Sequence, residues 1–462
     1  MPRKSSSSHE SPRDRPLTST IPESTWCAAK EDSEIHAYAH APNNRITKAE
    51  ARDLERHIAY VLRHRHGIGS RGPGKDVVLS VASLDPFLPI VFYGIVAAGA
   101  PPLPISELTR QIRDSGTTLV LYSKEYEEAT VAAAKECNIP PDRVLVIDSS
   151  SPIRMFEWPR LTSIAELERI TTCLLYSSGT TGLPKGVHLS HWNLVSSNVI
   201  SMRVGARYIA RRMQEGHHFE WRTMECLPMA HIAGIQQSSL NPFYMGGTVY
   251  WMEKYNFRDF IMYSRQYRTV YQFSVPPIWL QVAKSPEVTD HFDSLEVASS
   301  GAAPMGLELV KEVSQELGKG DTFMTQTWGA TETDGSTTAT DWDSRDETGT
   351  VGRILPNVKL RVVDDEGQDV EPGEAGELLV VGPLVCQGHH NTAASIVNGW
   401  FVAADVDNIK NHLIADAAVI GMQSERYGTE VPKAFIVATA GESLAVEEVM
   451  EFAKNTLASH RQ

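Results

Sequence analysis

The chain has 462 residues, 42% of them hydrophobic and 22% charged, which suits a soluble globular protein too long for one ordinary core. Its net charge of −14 argues against a general nucleic-acid binder, which needs a basic stripe to displace counterions, although a few local donors suffice for a phosphate site. Five scattered cysteines (Cys27, Cys137, Cys173, Cys226, Cys386), odd in number and without C-x-x-C spacing, argue against a disulfide framework or a zinc site and suit a reducing compartment.

Residues Met1 to Pro16 form a Ser/Arg/Pro-rich tail without an apolar centre, unlike a secretory signal, and residues 1–45 read as a flexible N-terminal arm. Thr47-Lys48-Ala49-Glu50 has capping-box spacing and opens an amphipathic helix to about Arg65. Strands are expected at Val77–Ser83, after Gly99, at Thr118–Tyr122 and at Arg143–Asp148. Helices are expected at Pro86–Ala98, from a Ser106 cap to Ser115, and at Glu125–Cys137. This alternation predicts a wound parallel sheet with helical crossovers. The apolar stretch Val77–Ile105 is broken by Asp85, Pro86, Pro89 and Pro101, so no membrane span is expected there. The last four residues, Ser459-His460-Arg461-Gln462, lack the usual peroxisomal tripeptide, and a cytoplasmic location is the default expectation.

A second α/β run extends from near Ile170 to about Trp342. From Gly349 the pattern changes to short antiparallel strands, Lys359–Val363 and Gly376–Val381, joined through Asp364-Asp365-Glu366-Gly367. The last stretch offers strands at Ala417–Gly421 and Ala434–Ala438 and a helix at Val446–Leu457.

The strongest signal is Tyr176-Ser177-Ser178-Gly179-Thr180-Thr181-Gly182-Leu183-Pro184-Lys185-Gly186, between the apolar strands Thr172–Tyr176 and Val187–Leu189. Glycines let the backbone turn tightly and aim N–H groups at an anion, while four hydroxyls and Lys185 add donors for phosphate oxygens. A flexible surface turn is the plainer alternative. It is not a Walker loop, because G-x-x-x-x-G-K-[ST] is absent and a strand follows Lys185.

This segment closely resembles the phosphate loop of the adenylate-forming (AMP-binding) superfamily, which includes acyl-CoA synthetases and coumarate-CoA ligases. Three further segments match in order: Leu227-Pro228-Met229-Ala230-His231-Ile232-Ala233-Gly234, Gln326-Thr327-Trp328-Gly329-Ala330-Thr331-Glu332, and residues 349–388 with Gly352-Arg353, Pro372-Gly373-Glu374 and Gly376-Glu377-Leu378. The resemblance spans about Thr47 to Asp405. It implies an α/β protein: two wound α/β subdomains plus a small β-rich lobe at about 349–405 within an adenylation domain at 46–405. A truncated α+β remnant of the small C-terminal domain follows at 406–462.

The implied reaction is attack of a carboxylate on the α-phosphate of ATP, expelling pyrophosphate, followed by thioester formation with CoA. The protein's task is mainly to position the groups and offset developing charge. The resemblance assigns nucleotide contacts to Ser177, Ser178, Gly179, Thr180, Thr181, Gly182 and Lys185, to Gly301, Ala302 and Ala303, and to Gln326, Thr327, Trp328, Gly329 and Thr331. Glu332 is the implied Mg²⁺ ligand, a hard oxygen donor for a hard cation. Lys185, His231, Thr331 and Glu332 are the implied catalytic set, with His231 at the mouth of the acid pocket. Alone, Glu332 reads as a surface acid, Trp328 as core packing, His231 as structural, and Ser299–Pro304 as a strand-to-helix turn. Gln272–Trp279 and Met229–Gln236 are the implied acid-pocket segments, and their apolar and aromatic content favours an apolar or aromatic acid over a charged one.

Two departures from the family stand out. Gly399-Trp400-Phe401-Val402-Ala403-Ala404-Asp405 keeps the ribose-binding aspartate, Asp405, but changes three residues before it. Asp405 then runs almost directly into Asn411–Val419, which resembles the interior of the family's small domain, so a hinge is missing, as is the family's late Gly-Lys. Loss of that lysine is expected to slow adenylation by roughly 10²–10³. The expected activity is therefore an acid–thiol ligase with CoA or another acyl acceptor. An adenylate-only enzyme and a catalytically impaired nucleotide-binding relative are the alternatives.

Overall fold

The computed structural model describes residues 34–43, 45–72, 74–98, 102–104, 108–147, 170–177, 185–364, 366–371, 376–388, 396–397, 399–403, 414–424 and 429–438. Strand β1 (Glu34–Tyr38) turns back through β2 (Arg45–Thr47), an antiparallel partner. The flexible arm expected over residues 1–45 is thus corrected for its last part: Ile35 and Ala37 are buried, and β1 is held in a sheet by partners on both sides. Helix α1 (Lys48–His66) starts at the expected capping box. Thr47 Oγ1 accepts from Glu50 N at 3.3 Å, while Glu50 Oε2 accepts from Thr47 N at 2.8 Å.

The expected parallel sheet follows, in the order β4-β3-β5-β6: β3 (Val77–Val81), β4 (Pro102–Pro104), β5 (Thr117–Tyr122) and β6 (Val144–Val146). Helices α2 (Leu88–Ala98), α3 (Leu108–Ser115) and α4 (Glu127–Glu136) are its crossovers. Gly94 lets α2 lie close on α1, because a Cβ there would sit 2.7 Å from the Ile58 side chain. The proposed Ser106 cap lies outside the described residues.

Strands β7 (Thr171–Ser177) and β8 (Lys185–Ser190) form an antiparallel pair, followed by the helix His191–Met202. β9 (Arg222–Glu225) and β10 (Thr248–Trp251) pair in parallel, and β10 pairs in parallel with β1. A five-stranded sheet then runs through β11 (Tyr271–Ser274), β12 (Val297–Ser300), β13 (Met324–Ala330), β14 (Gly335–Ala339) and β15 (Arg353–Ile354). It is parallel up to β13 and antiparallel beyond.

The change of pattern read near Gly349 is present as an antiparallel sheet of β16 (Lys359–Val363), β17 (Glu377–Val381), β18 (Ile396–Val397) and β19 (Trp400–Ala403). The hairpin β20 (Ile414–Ser424) and β21 (Thr429–Ala438) contains both strands expected in the last stretch. The helix expected at Val446–Leu457 lies outside the described residues. Among the described residues no helix is long and apolar enough to cross a membrane.

Candidate active site

The register of β7 and β8 opposes Ser177 to Lys185, so the two ends of the Ser/Thr/Gly loop are held side by side. Ser178, Gly179, Thr180, Thr181 and Gly182 lie outside the described residues. The hairpin is anchored from behind: Tyr176 Oη donates to Asp114 Oδ2 at 2.5 Å, and the Arg110 guanidinium lies 5.5 Å from the Tyr176 ring centre. On the other edge of β8, His188 N donates to Gly388 O and Gln387 N donates to His188 O, both at 3.0 Å.

That same segment reaches Glu332, whose carbonyl accepts from Cys386 N at 2.7 Å. Glu332 sits in a short 3₁₀ turn, Thr331–Thr333, that follows β13 and packs on both β7 and β8. Lys185, Ser177 and the Thr331-Glu332 turn therefore belong to one cluster of elements. The turn is tight for a local reason. Thr333 Oγ1 accepts from Ala330 N at 2.8 Å and donates to Gly335 O at 2.9 Å, and Asp334 takes a left-handed φ of 50°. Gly329 permits β13 and β14 to close, since a Cβ there would lie 1.7 Å from Gly335 O.

Two side chains lock the turn: Ser197, beyond the sequence-level candidates, and Gln236, the last residue of an expected acid-pocket segment. Ser197 Oγ donates to Asp334 O at 2.6 Å, and Gln236 Nε2 donates to Ser197 Oγ at 2.7 Å. Ser197 was not foreseeable from the sequence, because nothing in a Ser-Ser-Asn helix segment points 137 residues away. Asp334 was also missed. It is wholly buried with neither carboxylate oxygen partnered among the described residues, and burial holds its carboxyl far above the usual range.

Gln326 and Thr327 lie on β13 beside β12, and Trp328 pairs across to Thr338. Trp328 is half-buried and packs on the cluster of Leu355, Val358, Val380 and Phe401, so part of its surface serves packing. Gly301 follows β12 close to Phe273, whose ring a Cβ would meet at 3.1 Å. Ala302, with φ of 67°, and Ala303 are exposed beyond it. His231 is exposed as the N-cap of a short helix, with its N–H on Pro228 O at 3.0 Å. Asp405 lies outside the described residues.

A cavity of about 30 Å³ adjoins β13, lined among others by Ser201, Gln236, Gln237, Tyr271, Phe273 and Trp342. Of the two segments expected to line an acid pocket, only Gln236 and Phe273 do so here. Trp279 is instead fully buried in the core, donating to Ser299 O at 3.2 Å.

Among the described residues no group of three His, Cys, Asp or Glu side chains is gathered around a metal position. A cation at Glu332 would thus take its remaining ligands from phosphates and water, which is how Mg²⁺ commonly binds.

Comparison with known proteins bears on the same residues. A family model described as AMP-binding enzyme matches residues 24–390. A putative acyl-coenzyme A synthetase of Emericella nidulans is 36% identical over 509 aligned positions, which cover 96% of this chain and 90% of the relative. The alignment exceeds the 462 residues of this chain, so the relative carries segments that this chain lacks. A phenylacetyl-CoA ligase of Aspergillus niger is 26% identical, with 94% of this chain and 90% of the relative covered. In fold, the chain resembles the o-succinylbenzoate coenzyme A synthetase of Bacillus subtilis in complex with ATP and magnesium ion. The TM-score is 0.67 at 20% identity, covering 95% of this chain and 94% of the other.

Proposed function

Because the chain belongs to the AMP-binding enzyme family and is an acyl-CoA synthetase-like, adenylate-forming protein, we propose that it joins a carboxylic acid to CoA through an acyl-adenylate. The observation that supports this reading best is the packing of the Thr331-Glu332 turn against both strands that end at Ser177 and Lys185. In this reading the strand ends at Ser177 and Lys185, together with the turn that carries Thr331 and Glu332, supply the hydroxyl, cationic and carboxylate groups that a nucleoside triphosphate needs.

In the first step a carboxylate oxygen of the acid forms a bond to the α-phosphorus, and the bond to the β-phosphate oxygen breaks, so pyrophosphate departs. Lys185 and the loop after Ser177 bind phosphate oxygens, and Thr331 donates to the α-phosphate. Glu332 would hold Mg²⁺, which neutralises charge on the triphosphate when bound. Gln326, Thr327, Trp328, Gly329, Gly301, Ala302 and Ala303 form the adenine side, with Asp405 on the ribose. In the second step the CoA sulfur bonds to the acyl carbon, the acyl C–O bond to the phosphate breaks so that AMP departs, and the thiol proton passes to solvent. In this reading the exposed His231 serves the thiol's approach to the acyl carbon. The acid and CoA ligase activities named for the two fungal relatives agree with this scheme.

The test is pyrophosphate release from ATP and Mg²⁺ with a panel of aliphatic and aromatic acids, with and without CoA. Release that requires an acid, rises with CoA and falls by about 10²–10³ in Lys185→Ala supports the ligase. Acid-dependent release indifferent to CoA supports an adenylate-only enzyme. No release with any acid from folded protein overturns both.

A further inference from the structure

Three buried polar groups from separate stretches of the chain close a ring of hydrogen bonds behind the Thr331–Thr333 turn. Ser197 Oγ donates to Asp334 O at 2.6 Å, and Gln236 Nε2 donates both to that carbonyl and to Ser197 Oγ, the latter at 2.7 Å. The inventory closes: the amide uses both N–H donors, the hydroxyl donates once and accepts once, and the carbonyl fills both lone pairs. Gln236 is 3% exposed and Ser197 and Asp334 are 0% exposed, so the ring is shielded from solvent.

The orientation of the amide is fixed by chemistry and by space. Reversed, it would set Oε1 against the Asp334 carbonyl, acceptor on acceptor. Gly335, with φ of 91°, lies against the amide, and a Cβ there would sit 2.4 Å from Oε1 and 2.6 Å from Nε2. Filling that space would need only an apolar side chain of the same length; the amide adds direction.

The place of the ring in the fold gives it a use. Glu332 O is held by Cys386 N at 2.7 Å and Asp334 O by the ring, so the backbone is tied at the proposed metal ligand and again two residues later. Gln236 itself stands five residues after His231, where the helical turn Ile232–Ile235 widens into a π-helix, Gln236–Leu240. Such π turns are rare and recur at functional sites. One amide thus joins the run that carries His231 to the turn that carries Thr331 and Glu332.

We infer that Gln236, with Ser197, is a positioning residue for Glu332: it fixes the turn so that the carboxylate meets a metal-bound triphosphate without first having to be ordered. This rests on the reading of the protein as an adenylate-forming enzyme, and adds to it two residues that act through the turn and not on the reacting atoms. The leverage is large, because a misplacement of about 1 Å caused by a change remote from the chemistry can cost on the order of 10²-fold.

The test is calorimetric ATP binding to the full chain, with and without Mg²⁺, in wild type, Gln236→Met, Ser197→Ala, Glu332→Gln and the double variant of Gln236→Met with Glu332→Gln. Methionine keeps the length and apolar fit of Gln236 but donates nothing. The ratio of the two affinities is the metal's contribution. Wild type is expected to gain at least about tenfold from Mg²⁺, and Gln236→Met to lose most of that gain while its Mg²⁺-free affinity stays within about twofold. Ser197→Ala leaves the Gln236 bond to Asp334 in place and loses about threefold. In Glu332→Gln the gain is already gone, so adding Gln236→Met changes nothing further. Near-UV circular dichroism reports folding, and if Gln236→Met does not fold, Ser197→Ala decides through the same cycle.

No gain from Mg²⁺ in wild type, a gain unchanged in both variants, an equal fall in Mg²⁺-free affinity, or an equal loss in the Glu332→Gln background overturns the inference and leaves the ring a packing device. The two readings fail separately. A Mg²⁺ gain that depends on Gln236, without pyrophosphate release in any acid, supports the positioning role and overturns the proposed activity. Release from wild type with a Mg²⁺ gain indifferent to Gln236 retains the activity and overturns the positioning role.

Discussion

Glu225 is a carboxylic acid kept dry at the end of β9. It is 2% exposed, and burial pushes its pKa up to about 8, against the opposing effect of the Leu227 N–H that donates to it at 2.6 Å. Below its ordinary value of 4.5 both folded and unfolded chains hold the proton. Between there and about 8 the unfolded chain releases it while the folded chain keeps it, so stability falls as pH rises across that window. The slope is about 1.4 kcal/mol per pH unit, and Asp334, displaced in the same direction, adds to it. Thermal midpoints at pH 5, 6, 7 and 8 should therefore decline, and Glu225→Gln should flatten the decline. A midpoint independent of pH in wild type contradicts this account. At the proposed metal position, Glu332→Gln should raise the Mg²⁺ concentration for half-maximal pyrophosphate release and lower the rate by about 10²–10³. A Mg²⁺ titration at saturating ATP checks it. At this scale the sequence was legible where partners are close along the chain, as in the Thr47–Glu50 capping box. It was opaque for Asp334, around which Ser197, Gln236, Cys173 and Cys386 come together from distant parts of the chain.

Elements were easier to foresee than their partners. The strand–helix alternation after Val77 predicted the parallel β4-β3-β5-β6 sheet, because a half-dozen apolar residues followed by a helical stretch leaves few other arrangements. The strands flanking the proposed phosphate loop were also read correctly, each slightly short: Thr172–Tyr176 for Thr171–Ser177, and Val187–Leu189 for Lys185–Ser190. What no local pattern carried is β1 beside β10, or the strand-like tie between β8 and residues 387–388. Nor did aromatic content place a side chain: Trp279 fills the core beneath β12 while Trp342, outside the expected segments, lines the cavity. The crossing of β13 and β14 gives a prediction at this scale. Gly329→Ala places a methyl on Gly335 O and must part the strands, at a cost of about 3 kcal/mol or more. A lower thermal midpoint together with weakened nucleotide binding is expected, because the same turn carries Thr331 and Glu332. An unchanged midpoint would show that the strands part freely.

At the scale of the molecule, the proposed nucleotide site draws on the β7–β8 hairpin, the β11–β15 sheet and the connection after β17. A ligand bound across them stabilises all of these elements at once. ATP with Mg²⁺ at 100 times its Kd should add about 2.7 kcal/mol to folding and raise the thermal midpoint. Lys185→Ala should remove most of that rise, and a rise that survives the substitution would place the nucleotide elsewhere.

The pairing of β1 with β10 also sets a timetable for the chain as it is made. His36 cannot meet Val249 until more than 200 further residues have been synthesised, which at 5–20 residues per second takes about 10–40 s. During that interval β1 has only β2 beside it, and a two-stranded ribbon is barely stable in water. Ile35 and Ala37, buried in the finished fold, then lack their partner strand, while the β3–β6 sheet can already close. Slower translation between β6 and β10 lengthens that exposure.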